Sequence, residues 1–154
     1  MSKTVSLHSL RGGTGKTVVG VNLAVMLAKK GLDVALLDLD FRAPSLYHVF
    51  KQHVGEPPFW VNDYLNGRCK PDDLLIGVNS VFNSKGNLSV GFADPRFAAL
   101  EDMLGKSGSW QARALDKLFR LKKFLAGNLN VDLCICDTSL GIHYSSLNAM
   151  VHSD

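Results

Sequence analysis

The 154-residue chain is poor in cysteine, proline and tryptophan, with three, five and two of each. Its thiols, Cys69, Cys134 and Cys136, cannot build a disulfide framework, and none stands in Cys-x-x-Cys spacing. That spacing excludes the usual structural zinc and iron–sulfur patterns and points to reduced thiols in a cytoplasmic protein. Cys134 and Cys136 lie two apart in an apolar run, on one face of an expected strand, so a core role is expected for both. No apolar stretch approaches the roughly 20 residues needed to cross a bilayer. The opening MSKTVSLHSL has one charge and no apolar region, which excludes a signal peptide. Neither sign of charge dominates: 17 Lys and Arg against 14 Asp and Glu leave +3, which permits an anionic partner without requiring one. The five histidines show no paired metal-ligand spacing. Internal repeats, low-complexity tracts and linkers are missing too.

What is present is a globular composition. Hydrophobic residues make up 46% and charged residues 20%. One domain spanning 1–154 is expected, long enough to bury a real core. Residues 4–9, TVSLHS, are β-prone and run into a glycine cluster. Residues 16–30 are apolar nearly all round and end on Lys29, Lys30 and Gly31, a helix C-terminus pattern; the helix is expected to be buried. Residues 33–39, DVALLDL, suit a strand covered on both faces. The first 40 residues therefore read as one right-handed βαβ unit.

Further on, residues 44–52 and 59–66 suit short helices broken by Pro57 and Pro58. LSVGFAD at 88–94 reads as a third strand, and 105–109 as a loop. Residues 110–126 form an amphipathic helix, with Ala114, Leu118, Leu121 and Leu125 on one stripe and Arg113, Lys117, Arg120 and Lys123 on another. The basic stripe is expected to be a solvated face rather than a DNA-binding one. VDLCIC at 131–136 is a fourth strand, and a last helix starts near His143. Trp60 and Trp110 are expected to anchor packing, and His8 to pack or sit at an edge.

The strongest signal is RGGTGKT at 11–17, between a strand and a helix N-terminus. Glycines let the backbone wrap so that successive N–H groups point at phosphate oxygens, and the helix end adds partial positive charge. Lys16 is placed to reach β- and γ-phosphates, and the Thr17 hydroxyl to bind Mg²⁺. Three acidic residues end strands nearby. Asp38 and Asp40 share one side of the second strand, and Asp137 ends the fourth. Converging carboxylates suit a Mg²⁺ ion that keeps several waters.

The loop departs from the ordinary phosphate-loop spacing: Leu10 stands where the first glycine is expected, followed by Arg11, Gly12 and Gly13. In this the chain resembles the deviant Walker A ATPases of the MinD/ParA/Mrp group, whose motif reads Lys-Gly-Gly-x-x-Lys-Ser/Thr. VNLAVMLAKKGLDVALLDLD at 21–40 is similar to that group's helix and switch I segment, and DTSLG at 137–141 to its switch II. Two departures stand out. The signature lysine is Arg11 here, a planar fork of donors rather than a point charge. Switch II lacks its proline, with Ser139 and Leu140 in those places, which bears on the loop's rigidity.

The resemblance implies an α/β P-loop NTPase fold, a three-layer sandwich with a mainly parallel sheet. The group's later strands would follow the last residue, so the domain is expected to be truncated at its C-terminal side, leaving the first strand at the sheet edge. It implies ATP and Mg²⁺ as ligands. Arg11, Gly12, Gly13, Thr14, Gly15, Lys16, Thr17, Val18 and Gly141 would hold nucleotide. Thr17, Asp38 and Asp137 would act at the metal, Asp40 would activate the attacking water, and Lys16 and Arg11 would assist catalysis. An ATP-dependent homodimer is implied, a switch that positions chromosomes, plasmids, a division site or other cargo, with attachment to DNA or membrane through partners. The alternatives are a nucleotide-holding module without turnover and an iron–sulfur carrier of the Mrp type. Pro44-Ser45-Leu46 speaks faintly for the carrier, and the cysteine spacing speaks against it.

Overall fold

A computed structural model describes residues 2–154. The elements run β1 (Lys3–Leu7), α1 (Lys16–Lys29), β2 (Val34–Leu39), α2 (Leu46–Val54), α3 (Val61–Asn66), β3 (Ile76–Gly77), β4 (Leu88–Gly91), α4 (Phe97–Leu104), α5 (Gly108–Gly127), β5 (Leu133–Thr138) and α6 (Tyr144–His152). They build one five-stranded sheet in the order β1-β5-β2-β4-β3. β1, β5, β2 and β4 are mutually parallel, and β3 pairs antiparallel with β4.

Strand alternation sorts the core into two layers. Ala35, Leu37, Leu39, Cys134 and Cys136 face one way, onto Leu118, Leu121 and Leu125 of α5 and Ala149 of α6. Val34, Leu36, Ile135, Leu88 and Val90 face the other way, onto Ala24 and Ala28 of α1 and Leu46 and Phe50 of α2. Both cysteines are buried on one face, as their spacing requires. Trp60 is buried edge-on to Tyr47, and the Trp110 indole donates to Asn66 Oδ1 at 2.9 Å.

Several details differ from the sequence reading. Helix α1 is not buried all round. Its buried stripe is Gly20, Ala24 and Ala28, while Val18, Val19 and Met26 are exposed. The stripe is small because the helix lies close on the sheet; a Cβ at Gly20 would stand 3.0 Å from Leu7 Cδ1. Helix α4 was not foreseen. It is only eight residues long, too short for its periodicity to stand out, and it carries Phe97 and Leu104 exposed. Residues 108 and 109, expected in a loop, open α5, where the Ser107 hydroxyl accepts from the Trp110 amide. The two-residue β3 adds a fifth strand that is too short for any periodicity to show.

β1 lies at the sheet edge, as expected. Beside it, the Asp154 amide donates to Thr4 O at 2.8 Å, and the Asp154 carboxylate accepts from Thr4 N at 2.7 Å. At the far end of α1, the Gly86 amide donates to Ala28 O at 2.9 Å. A Cβ on Gly86 would meet Leu32 O at 2.2 Å, so only glycine fits that approach. Asn87 completes the clasp, with its amide and side chain both donating to Asp33 Oδ1.

Candidate nucleotide site

The site forms where parallel strands end and α1 begins. Parity along β2 and β5 fixes its carboxylates. Asp38 and Asp137 are register partners on neighbouring strands. Both share the phase of Leu36 and Ile135, so both point to the α1 side. The first turn of α1 brings Thr17 to meet them. Its hydroxyl donates to Asp137 Oδ2 at 2.5 Å, and Ser45 Oγ stands 3.0 Å from Thr17 Oγ1.

The loop from His8 to Gly15 wraps in front of this group. Gly13 and Gly15 have φ of +71° and +81°, the left-handed region that glycine enters at no steric cost. Nothing lies within 4 Å of where their Cβ atoms would be, so the concave side of the loop is open. Ser9 organises the loop. Its hydroxyl donates to Arg11 O and accepts from Thr14 Oγ1 and from Lys16 Nζ at 3.0 Å. Lys16 therefore rests inside its own loop, on a neutral partner. A recess of about 330 Å³ runs from Ser6 past Thr14 and Lys16 to Val19.

Switch II is stitched to the same loop. The Gly141 amide donates to Ser9 O at 3.0 Å, Thr138 Oγ1 donates to Leu7 O at 2.8 Å, and Leu140 Cδ2 lies 3.6 Å from a Cβ placed on Gly12. Gly141 takes φ +75° to make the turn. His8 is held at this seam, its Nδ1 3.2 Å from Thr138 Oγ1.

The three carboxylates have different surroundings. Asp38 is fully buried. Its Oδ1 accepts from the Asp40 amide, and its Oδ2 from the amides of Ser45 and Leu46. Burial holds its carboxyl well above the ordinary range, with Asp137 adding to the rise and the Leu46 amide opposing it. Asp38, expected at the metal, has both of its oxygens hydrogen-bonded to amides of the turn that leads into α2. Asp137 keeps Oδ1 buried without a partner while Oδ2 takes the Thr17 hydroxyl. Burial raises its carboxyl; Thr17 and Lys16 pull it down, and Asp40 pushes it up. Asp40 stands beyond the strand end, its Oδ1 accepting from the Arg42 and Ala43 amides.

Arg11, Gly12, Gly13 and Thr14 are exposed, and Val18 is exposed in the first turn of α1. Among the described residues no carboxylate lies within ion-pair distance of Arg11. Ser9 and Ser45 are the site residues that sequence reasoning missed. A hydroxyl carries no spacing signal of its own, although Ser45 following Pro44 before a helix was a hint. The described residues hold no cluster of three or more His, Cys, Asp or Glu side chains set for a metal. No described helix is long and apolar enough to cross a membrane.

A buried oxygen without a partner beside a hydroxyl, at the mouth of an open glycine cradle, fits Mg²⁺ with a polyphosphate. Fold and loop together define a P-loop nucleotide-binding domain. The comparisons agree. The family described as ParA, NUBPL iron-transfer P-loop NTPase, matches residues 1–66. An ATP-binding protein of Methanocaldococcus jannaschii is 37% identical over 75 residues, 49% of this chain and 28% of that one. The antiactivator FleN of Pseudomonas aeruginosa is 34% identical over 97 residues, 60% of this chain and 34% of that one. The septum site-determining protein MinD of Pyrococcus horikoshii, solved with Mg-ADP, superposes with a TM-score of 0.77 at 25% identity, over 99% of this chain and 55% of that one. The chain is similar to P-loop NTPases of the MinD/ParA/Mrp type in its phosphate loop and in its fold. It spans about a third or less of the curated relatives it matches, and about half of the solved MinD.

Proposed function

We propose that the chain is the nucleotide-binding core of a Mg²⁺-dependent ATPase that works as a nucleotide-dependent dimer switch in positioning or partitioning cargo. The observation that carries this reading is the unpartnered Asp137 Oδ1 beside the Thr17 hydroxyl, under a loop opened by Gly13 and Gly15. In this reading the amides of Gly12 to Val18 bind the phosphates. Lys16 leaves Ser9 for the β- and γ-phosphate oxygens, exchanging a neutral acceptor for an anionic one. Thr17 and Asp137 hold the metal, and Asp38, behind them, braces the turn that carries Asp40 and Ser45. A Mg²⁺ ion held by Thr17 and Asp137 would supply positive charge against the phosphates.

Asp40 accepts the proton of the attacking water through the oxygen that its backbone turn leaves free. Arg11, exposed and without an ion pair among the described residues, supplies a cation to the phosphates of a second copy. The Gly141–Ser9 bond carries the state of the phosphates into switch II.

The test is steady-state ATP hydrolysis with Mg²⁺ and with EDTA, in the wild type and in Asp40→Ala. The expected result is Mg²⁺-dependent turnover that falls about 10²-fold in the variant while ATP binding is kept. Binding without turnover in the wild type would leave a nucleotide-holding module instead. Wild-type turnover in Asp40→Ala would move the base elsewhere.

A further inference from the structure

A second cavity, of about 440 Å³, lies apart from the phosphate loop, between α4 and the start of α6. Leu100 and Leu104 form one wall and Ile142, Tyr144 and Leu147 the other. Three features set its chemistry. First, the apolar surface runs past the rim: Phe97, Leu104, Ile142 and Tyr144 are 71%, 58%, 68% and 63% exposed. Phe97, Leu100 and Leu104 fall on one stripe of α4, so this is a continuous face rather than scattered residues. Second, the lining contains cations and no acid. Lys106 is already paired with Asp102 at 2.7 Å. The Arg42 guanidinium meets His143 Nε2, at 2.9 Å, and among the described residues no carboxylate lies within ion-pair distance of it. Third, the Oε1 of Gln111, which lines the cavity, is buried without a donor.

We propose that this groove docks an amphipathic helix of a partner protein, with apolar side chains seated between α4 and α6, an acidic side chain on Arg42, and a side-chain donor reaching Gln111 Oε1. A small molecule would fill the cavity but leave the apolar shoulders at Phe97 and Tyr144 in water. An extended peptide would find no sheet edge in the lining, whereas a helix satisfies its own backbone and needs only side-chain contacts. The groove is built from the residues that directly follow Asp40 and Gly141, so an occupant grips both switch segments at once. The proposal does not depend on nucleotide, and its test uses nucleotide-free protein.

A phage-displayed library of random 16-residue peptides is selected on the chain, and the recovered peptides are measured by fluorescence anisotropy. The expected winners carry apolar residues at i, i+3 or i+4, and i+7 with an acidic residue beside them. Leu104→Asp and Arg42→Glu should each weaken them at least tenfold. Exchanging the peptide's acid for lysine should restore binding to Arg42→Glu. Thermal melts confirm folding; if Leu104→Asp unfolds, Tyr144→Ser takes its place. A selection that yields no binder sensitive to these substitutions overturns the proposal, as does equal binding of acidic and lysine peptides. Sedimentation showing a nucleotide-free dimer of the chain that Leu104→Asp dissolves would also overturn it, by giving the groove to a second copy.

Discussion

Replacing Lys16 by alanine tests whether the resting contact of this side chain is a parking place. In the structure Lys16 Nζ sits 3.0 Å from Ser9 Oγ. On binding ATP it would make contacts to two anionic phosphate oxygens, at about 1.5–3 kcal/mol each, and surrender one bond to a neutral hydroxyl, of about 1 kcal/mol. The net is about 2–5 kcal/mol. Lys16 is only half-buried, so solvent screening favours the lower half of that range. At 1.4 kcal/mol per tenfold, ATP affinity should fall about 30- to 300-fold. Titration calorimetry with Mg²⁺ measures it, and a melting temperature close to wild type shows that the loop still folds. An affinity within about threefold of wild type would refute the reasoning: the backbone amides alone would then hold the phosphates, and the ammonium would stay on Ser9.

Three further outcomes are expected. Arg11→Ala should bind ATP about as well as wild type yet fail to dimerise with a non-hydrolysable analogue, and hydrolysis should drop by up to ~10³-fold or more, the scale of a cation supplied in trans; light scattering that finds the wild-type dimer in the variant would defeat the trans role. Gly86→Ala forces a Cβ to 2.2 Å from Leu32 O, so a urea melt should show a loss of about 2 kcal/mol or more, and an unchanged midpoint would mean that the clasp gives way freely. Burial, with Asp63 and Asp73 adding to it, pushes the Cys69 thiol up to about 11. At pH 8.5 its thiolate fraction, and so its alkylation by iodoacetamide, should be on the order of 10²-fold below that of an ordinary thiol, rising as pH climbs towards 11; mass spectrometry that finds the rate of an unstructured cysteine would contradict that environment.

The half of the chain legible in its residues is the half with strong periodicity. The βαβ unit, the glycine loop and the strand that carries Asp137 all showed, because a buried strand is mostly apolar and a phosphate loop must be glycine-rich. Helix α4 did not show, since it is too short for its periodicity to stand out. Asp38 and Asp137 look alike in sequence, each an acid near a strand end on the same face. Only three-dimensional contacts separate them: the Ser45 and Leu46 amides reach Asp38, and nothing reaches Asp137 Oδ1. Ser9 was invisible for a similar reason, because its role depends on a loop curling back over it.

Helix α1 is fastened at both ends, by Thr17 on Asp137 and by Gly86 on Ala28, and it lies so close on the sheet that a Cβ at Gly20 would stand 3.0 Å from Leu7 Cδ1. Mechanically it is a clamped beam, free neither to slide along its axis nor to roll. In the proposed switch, a change on nucleotide binding would be expressed around it, in residues 41–45 and 139–143, which are joined to each other through Arg42 on His143. The helix proposed to receive the phosphates would then serve as the fixed datum against which the two switch segments move.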